Sequence, residues 1–330
     1  MLDSIKIQNF GCLRLAAVGL RPLTVLIGAN DSGKSTFLRA ARLLAKGGAS
    51  FKPADSFRHE FRNVKVGGQA DGVTASVMWE PPSQPAGVWS VTCDPTFGPD
   101  WNPLGISSLL SISLNAATGV SMTSVGVPDG ELPPTFGSDG SMVPSLADYL
   151  LRTSRKALFE QFEQKLRELI PGMESIDIRT PEPQLRRFDL IADRGVHIPG
   201  HDLSVGVRAL IFYASLAYHP VEPAIITIEE PENGLHPKRL GDVMKLLRRL
   251  TQPSERRKGS QVILTTHSPY LLDHVDLDTD AVLVCQRQPD GERTIEAADK
   301  TRLERFLPEF MLGEVWFNEG EAGLLSARSS

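Results

Sequence analysis

Gly28-Ala-Asn-Asp-Ser-Gly-Lys-Ser35 sets two glycines, a lysine and a serine at the spacing Gly-x4-Gly-Lys-Ser. Each of these types answers a need of a bound polyphosphate. The glycines let the backbone wrap the β-phosphate, and successive N–H groups and a helix N-terminus supply positive potential. Lys34 spans the β- and γ-phosphates and the Ser35 hydroxyl ligates Mg2+. The spacing therefore predicts a nucleoside triphosphate site over Gly28, Ala29, Asn30, Asp31, Ser32, Gly33, Lys34, Ser35 and Thr36. The flanking elements agree, because the apolar run Leu23–Ile27 reads as a buried strand and Thr36–Leu44 as a helix.

A second group carries acids. Ala224-Ile-Ile-Thr-Ile-Glu229-Glu230-Pro231 reads as a buried strand running into two carboxylates. A carboxylate at the end of a neighbouring parallel strand is what holds Mg2+ opposite the loop serine, which assigns Glu229 to the metal. Successive strand side chains point to opposite faces, so Glu230 must act from the point where the strand ends, and Pro231 marks such an end. There Glu230 would orient or deprotonate an attacking water.

Two more groups follow the same logic. Ser204-Val-Gly206 opens an apolar helix just upstream of the acidic strand, and Gln261-Val-Ile-Leu-Thr-Thr266-His267 reads as a buried strand ending in a histidine. Taken singly, Ser204 suits a plain helix N-cap and His267 a hydrogen-bonded core histidine. The order of phosphate loop, Ser-x-Gly helix, acidic strand and Thr-His strand joins them into one site.

That order resembles the ABC-type ATPases. It resembles in particular the RecF/SMC-like and OLD-family branch, with the related predicted ATPases of bacterial defence and genome-maintenance systems. The resemblance is carried by Ile5-Lys-Ile-Gln-Asn-Phe10 leading to Leu23–Asn30, by Leu203-Ser-Val-Gly-Val-Arg208, by Glu229-Glu-Pro-Glu-Asn-Gly-Leu-His-Pro237 and by Thr265-Thr-His-Ser-Pro-Tyr-Leu-Leu272. It covers about residues 1–50 and 200–275. It implies an α/β P-loop ABC-type head: a mixed central sheet with flanking helices, an antiparallel N-terminal β portion and an inserted helical and loop lobe.

The resemblance also implies roles. Gly28 through Thr36 would hold ATP, Ser35 and Glu229 the Mg2+, Glu230 the water, and His267 the γ-phosphate. Ser204 and Gly206 would touch a nucleotide held by a second copy, giving a homodimer with ATP sandwiched at the interface. Relatives commonly carry aspartate where this chain has Glu229. The glutamine that such sites use to sense metal and water would be Gln69 or, less well placed, Gln84. OLD proteins continue into an acidic nuclease module. None is expected after Phe310-Met-Leu-Gly-Glu-Val-Trp-Phe317, so a separate effector partner would deliver the output. An ATP-dependent scaffold without hydrolysis, a small-molecule kinase and a transporter ATPase are the alternatives, the last disfavoured by Pro231-Glu-Asn-Gly-Leu-His-Pro237.

Composition bounds these readings. The chain has 330 residues, 41% hydrophobic and 23% charged, the balance of a globular protein. No apolar run reaches membrane-span length and Met1-Leu-Asp-Ser lacks a basic leader, so a cytoplasmic protein without membrane contact is expected. Cys12, Cys93 and Cys285 are too few and scattered for a disulfide framework or a zinc site. Net charge is −5, so DNA contact would need a local basic patch. Candidates are Arg152, Arg155, Lys156, Lys165 and Arg167 on one helix, and Lys245, Arg248 and Arg249 followed by Arg256-Arg-Lys258.

The expected organisation is a split head: residues 1–95 with the phosphate loop, an inserted lobe over 96–200, and 201–330 with the signature helix, acidic strand and histidine. Within the insertion, 96–142 reads as loop-rich and 145–170 as one helix. Strands are expected at Val73–Trp79, Val88–Thr92, Ser175–Arg179 and Arg187–Ala192, and Pro289-Asp-Gly291 signals a hairpin. No heptad is sustained, which excludes a long coiled-coil arm.

Overall fold

A computed structural model describes residues 1–45, 64–70, 73–80, 90–94, 109–113, 120–125, 132–135, 137, 140–253 and 258–326. The chain opens with β1 (Ser4–Phe10), β2 (Leu13–Gly19), β3 (Leu23–Ile27) and α1 (Lys34–Ala45). There follow β4 (Val64–Ala70), β5 (Val73–Glu80), β6 (Ser90–Asp94), β7 (Leu109–Ser113), β8 (Thr123–Val125), α2 (Met142–Arg152) and α3 (Lys156–Leu169). Next come β9 (Met173–Arg179), β10 (Leu185–Ala192), β11 (Val196–Ile198), α4 (Val205–Ala217), β12 (Ile225–Glu229) and α5 (Leu240–Thr251). The described chain closes with β13 (Gln261–Thr266), α6 (Pro269–Leu272), β14 (Ala281–Arg287), β15 (Arg293–Ala297), α7 (Lys300–Leu303) and α8 (Leu312–Gly323).

Contacts divide the chain into two compact units. One unit contains Met1–Ser111, Pro223–Glu230 and Lys258–Ser330, and holds two sheets. The first runs β2-β1-β4-β5-β6, with every neighbouring pair antiparallel. The second runs β15-β14-β3-β13-β12-β7. Here β12 pairs β13, β13 pairs β3 and β14 pairs β3, all parallel. Strands inside such a sheet are covered on both faces and so read as unbroken apolar runs rather than alternations. β3 and β13 do so, each buried along its whole length. Helix α1 buries Phe37, Leu38, Ala40, Ala41, Leu43 and Leu44 in one cluster with Ile5, Ile7 and Phe10 of β1 and Leu26 of β3.

Parallel alignment has one consequence for chemistry. The segments that leave β3, β12, β13 and β14 all emerge at the same carboxyl edge, where ligands bind in open α/β sheets. Those segments are the phosphate loop, the Glu229–Glu230 pair, Thr266–His267 and the turn that leads into β15.

The other unit contains Ile112–Glu222 and Pro231–Arg257. In it β8 and β9 both pair with β10, as does β11, all antiparallel. The described chain cuts differently from the expected split at residue 201: α4 packs against α3 and α5, so it clusters with residues of the inserted lobe. The expected helix 145–170 is two helices, because Thr153 is extended at φ −97, ψ 175 and ends α2. The stretch 96–142 carries β7 and β8. The paired strands β9 and β10 match the expectation.

Asp189 anchors this second unit ahead of the signature helix. It is fully buried, accepts three hydrogen bonds from Arg187, from Nε to both oxygens and from Nη2 to Oδ2, and accepts the Gly200 N–H at 2.8 Å. Burial pushes its carboxyl up, but the bonds from Arg187 and Gly200 with the charges of Arg187 and His197 outweigh that, and its pKa falls below the usual value. A depressed folded pKa stabilises above the unfolded value of about 3.9 and loses the effect as pH falls through the folded value. Asp189→Asn should cost about 2 kcal/mol in urea unfolding at pH 7. The gap between variant and wild type should narrow below about pH 4; a gap that does not change with pH would deny the carboxylate this role.

Candidate functional site

The phosphate loop turns where the sequence placed it. Gly28 has φ 143, and a Cβ there would meet the Cys285 carbonyl oxygen at 2.1 Å, so no other residue fits beside β14. Lys34 is 6% exposed and its Nζ donates to the carbonyls of Gly28 and Ala29, both at 2.8 Å. The ammonium is thus curled onto the loop it would share with a phosphate. Ser32 Oγ is buried without a hydrogen-bond partner among the described residues, as a hydroxyl waiting for an anion would be. The turn between β1 and β2 closes over the start of α1, with Cys12 Sγ 3.3 Å from Thr36 Oγ1. Cys285 is a buried thiol, pushed up to about 12 by burial despite the charge of Lys34.

Two parallel strands away, β12 delivers its acids. Ser35 Oγ donates to Glu229 Oε2 at 3.3 Å. The other carboxylate oxygen, Oε1, accepts from Arg42 Nη2 at 2.8 Å, and Arg42 Nε reaches Thr227 Oγ1 at 3.1 Å. A hydroxyl and a carboxylate at this separation are hard oxygen donors that fit Mg2+, which takes few protein ligands and keeps its waters. No cluster of three or more His, Cys, Asp or Glu among the described residues offers a fuller metal cage.

Glu230 takes the left-handed conformation, φ 48, at the point where β12 ends. Its N–H donates to the Thr265 carbonyl at 3.0 Å, so β13 holds the backbone while the side chain turns away from the strand. His267 Nε2 then lies 3.1 Å from Glu230 Oε1. The last residues of two neighbouring strands thereby bring a carboxylate and an imidazole together, a pair that can hold or move a proton on a water.

In the other unit, Ser204 caps α4: its Oγ accepts the Val207 N–H at 3.3 Å. Gly206 lies against the Gly234 carbonyl, which an added Cβ would meet at 2.9 Å. The signature turn is thus packed on the Pro231–Pro237 run.

Some expectations fall elsewhere. Gln69 pairs with Ser4, at the far end of β1 from the turn that touches Thr36, roughly 20 Å of strand away. It is therefore no partner of the loop, and Gln84 lies outside the described residues. Among the cations proposed for DNA, Arg152, Lys165 and Arg167 pair with Asp148, Glu168 and Glu163, and Arg249 stacks on Tyr218. Arg256 and Arg257 lie outside the described residues.

Three contacts were missed. Arg42 lies two helical turns after Ser35, on the same face of α1, and that spacing was the available signal. Arg293 binds Asp31 and Glu321 accepts the Ala29 N–H at 3.0 Å. Both depend on strand and helix packing that leaves no local mark.

Known proteins similar to this chain fix its family and its fold. Residues 99–273, more than half of the chain, match the family described as "AAA domain, putative AbiEii toxin, Type IV TA system". The chain belongs to this AAA-domain family. Residues 1–73 of this AAA-domain protein also match the AAA ATPase domain. An OLD nuclease of Thermus scotoductus is 24% identical over 372 residues, spanning 95% of this chain and 68% of that protein. An Smc head bound to the C-winged helix domain of ScpA aligns over 92% of this chain and 99% of its own, at TM-score 0.58 and 14% identity. An Smc head with an extended coiled coil, bound to the C-terminal domain of ScpA from Pyrococcus furiosus, aligns over 93% and 98%, at TM-score 0.59 and 13% identity. The fold is that of an SMC-like, P-loop ABC-type head, and the RecF/SMC-like, OLD-family resemblance is supported. No described helix is long and apolar enough to cross a membrane.

The Gly28 contact is open to a direct test. Gly28→Ala must push the β14 carbonyl aside, so the variant should lose about 2 kcal/mol in chemical unfolding; unchanged stability would mean that the loop is not seated on Cys285.

Proposed function

We propose that this AAA-domain protein binds and hydrolyses ATP with Mg2+, dimerises around the nucleotide, and serves as sensor or motor of a DNA-repair or anti-phage defence system through a separate partner. The observation that carries the chemistry is the meeting of Glu230 with His267 at the sheet edge that also bears Lys34 and Ser35. Lys34 would move from the loop carbonyls to the β- and γ-phosphates, and loop N–H groups would take the remaining oxygens. Ser35 and Glu229 would hold Mg2+, which supplies charge neutralisation on the phosphate oxygens when bound. Glu230 would accept a proton from the water, and His267 would hold the carboxylate in position and contact the γ-phosphate.

The proposed dimer rests on Ser204 and Gly206. A capping serine leaves the first N–H groups of α4 aimed along the helix axis, where an anion from another subunit would be stabilised. The OLD nuclease relative and the ScpA-bound heads favour an output delivered through nucleic acid or a partner protein, and a cytoplasmic setting suits both.

Glu230→Gln keeps size and hydrogen bonding but removes the base. ATP should still bind while turnover falls by roughly 10²–10⁴-fold in a phosphate-release assay; normal turnover would move the base to another residue. For the dimer, Ser204→Arg and Lys34→Ala chains should each be inactive alone, yet regain turnover when subunits are mixed, since one composite site is then intact. No recovery in a mixed dimer shown by mass would leave Ser204 as a helix cap.

A further inference from the structure

The phosphate loop carries a carboxylate of its own. Asp31 sits between Gly28 and Lys34 with φ 61, a conformation that glycine adopts freely and aspartate tolerates. A negative charge on a turn whose purpose is to attract a triphosphate works against that purpose, because like charges only ångströms apart repel. The structure holds an answer in Arg293. Its Nη2 donates to Asp31 Oδ2 at 2.5 Å, its Nε to the Asp31 carbonyl at 3.1 Å, and its Nη1 to the Gly291 carbonyl at 2.9 Å. The Arg293 side chain is 11% exposed while Asp31 is 52% exposed, so the guanidinium is the fixed member and the loop apex the held one.

Its position is built into the sheet. Arg293 opens β15 directly after the turn from β14, closed by the bond from Gly291 N–H to the Gln288 carbonyl. β14 runs parallel to β3, and β3 leads into the loop. The hairpin therefore stands at the carboxyl edge beside the loop, and a planar guanidinium can grip both a carboxylate and a backbone carbonyl there.

We propose that Arg293 is a positioning residue of the nucleotide site: it neutralises Asp31 and fixes the loop apex, so that the loop presents positive potential to the phosphates. This rests on the reading of the loop as an ATP site. If Arg293 only pinned the hairpin, its loss would not depend on what stands at position 31.

The test is titration calorimetry of the full chain with Mg-ATP, for wild type, Lys34→Ala, Arg293→Ala and the double variant Asp31→Gly with Arg293→Ala. Arg293→Ala should weaken binding about tenfold. The double variant should return to within about threefold of wild type, because glycine removes the stranded charge and accepts the backbone conformation. Wild-type affinity in Arg293→Ala, or a double variant as weak as the single one, overturns the proposal. Should Arg293→Ala fail to fold, Arg293→Lys is read in its place, since it keeps the charge and loses the two-point grip. Its smaller loss should likewise vanish with Asp31→Gly, and a loss that persists overturns the proposal. Wild type that binds no nucleotide sinks the site reading and this inference together. Binding that is lost in Lys34→Ala and unaffected in either Arg293 variant sinks this inference alone.

Discussion

Backbone pairing between four parallel strands is the constraint from which the site follows. β12 to β13, β13 to β3 and β3 to β14 are in register over buried apolar residues, so their four exits cannot separate. Each exit carries one chemical part, and the strands that end there lie far apart in the chain, β3 ending at Ile27 and β14 at Arg287. Apolar burial thus fixes the distances between polar groups that make few direct contacts with the core. The arrangement is rigid where it must be, because strands buried on both faces leave little room for slippage.

The Glu229–Glu230 pair shows how one strand end aims two carboxylates at different partners. Glu229 is still on the ladder and faces α1, where Ser35 and Arg42 meet its two oxygens. Glu230 has left the ladder with a left-handed backbone, and its N–H is retained by Thr265 of the next strand. A non-glycine residue in that conformation is strained by about 1–2 kcal/mol, which the neighbouring strand must offset. The strain re-aims a carboxylate by one residue without moving the sheet, and brings it to His267.

Much of this was legible in the sequence, and for identifiable reasons. The phosphate loop declares itself because phosphate demands particular residue types at fixed spacing, and Gly28 through Ser35 met that demand locally. The acidic strand and the Thr-His strand were readable because buried parallel strands leave unbroken apolar runs. The contacts that tune the site were not readable. Arg293 reaches Asp31 across 262 residues and Glu321 reaches Ala29 across 292, and long-range pairings leave no periodicity. Gln69 misled because it carried the right side chain in a strand of the wrong sheet, a distinction that only strand order reveals. The helix expected over 145–170 failed at Thr153, where an extended polar residue outweighs helical neighbours.

Arg42 gives the Glu229 carboxylate a resident counter-ion. Without it Glu229 would lie unneutralised one residue from a second acid, Glu230. A side chain one methylene longer than aspartate spreads its two oxygens between the guanidinium and the Ser35 hydroxyl at the same time. On the proposed reading, a cation held here would meet a carboxylate that already has a charged partner. Ser35 and Arg42 both belong to α1, so one helix holds both oxygens of the acid.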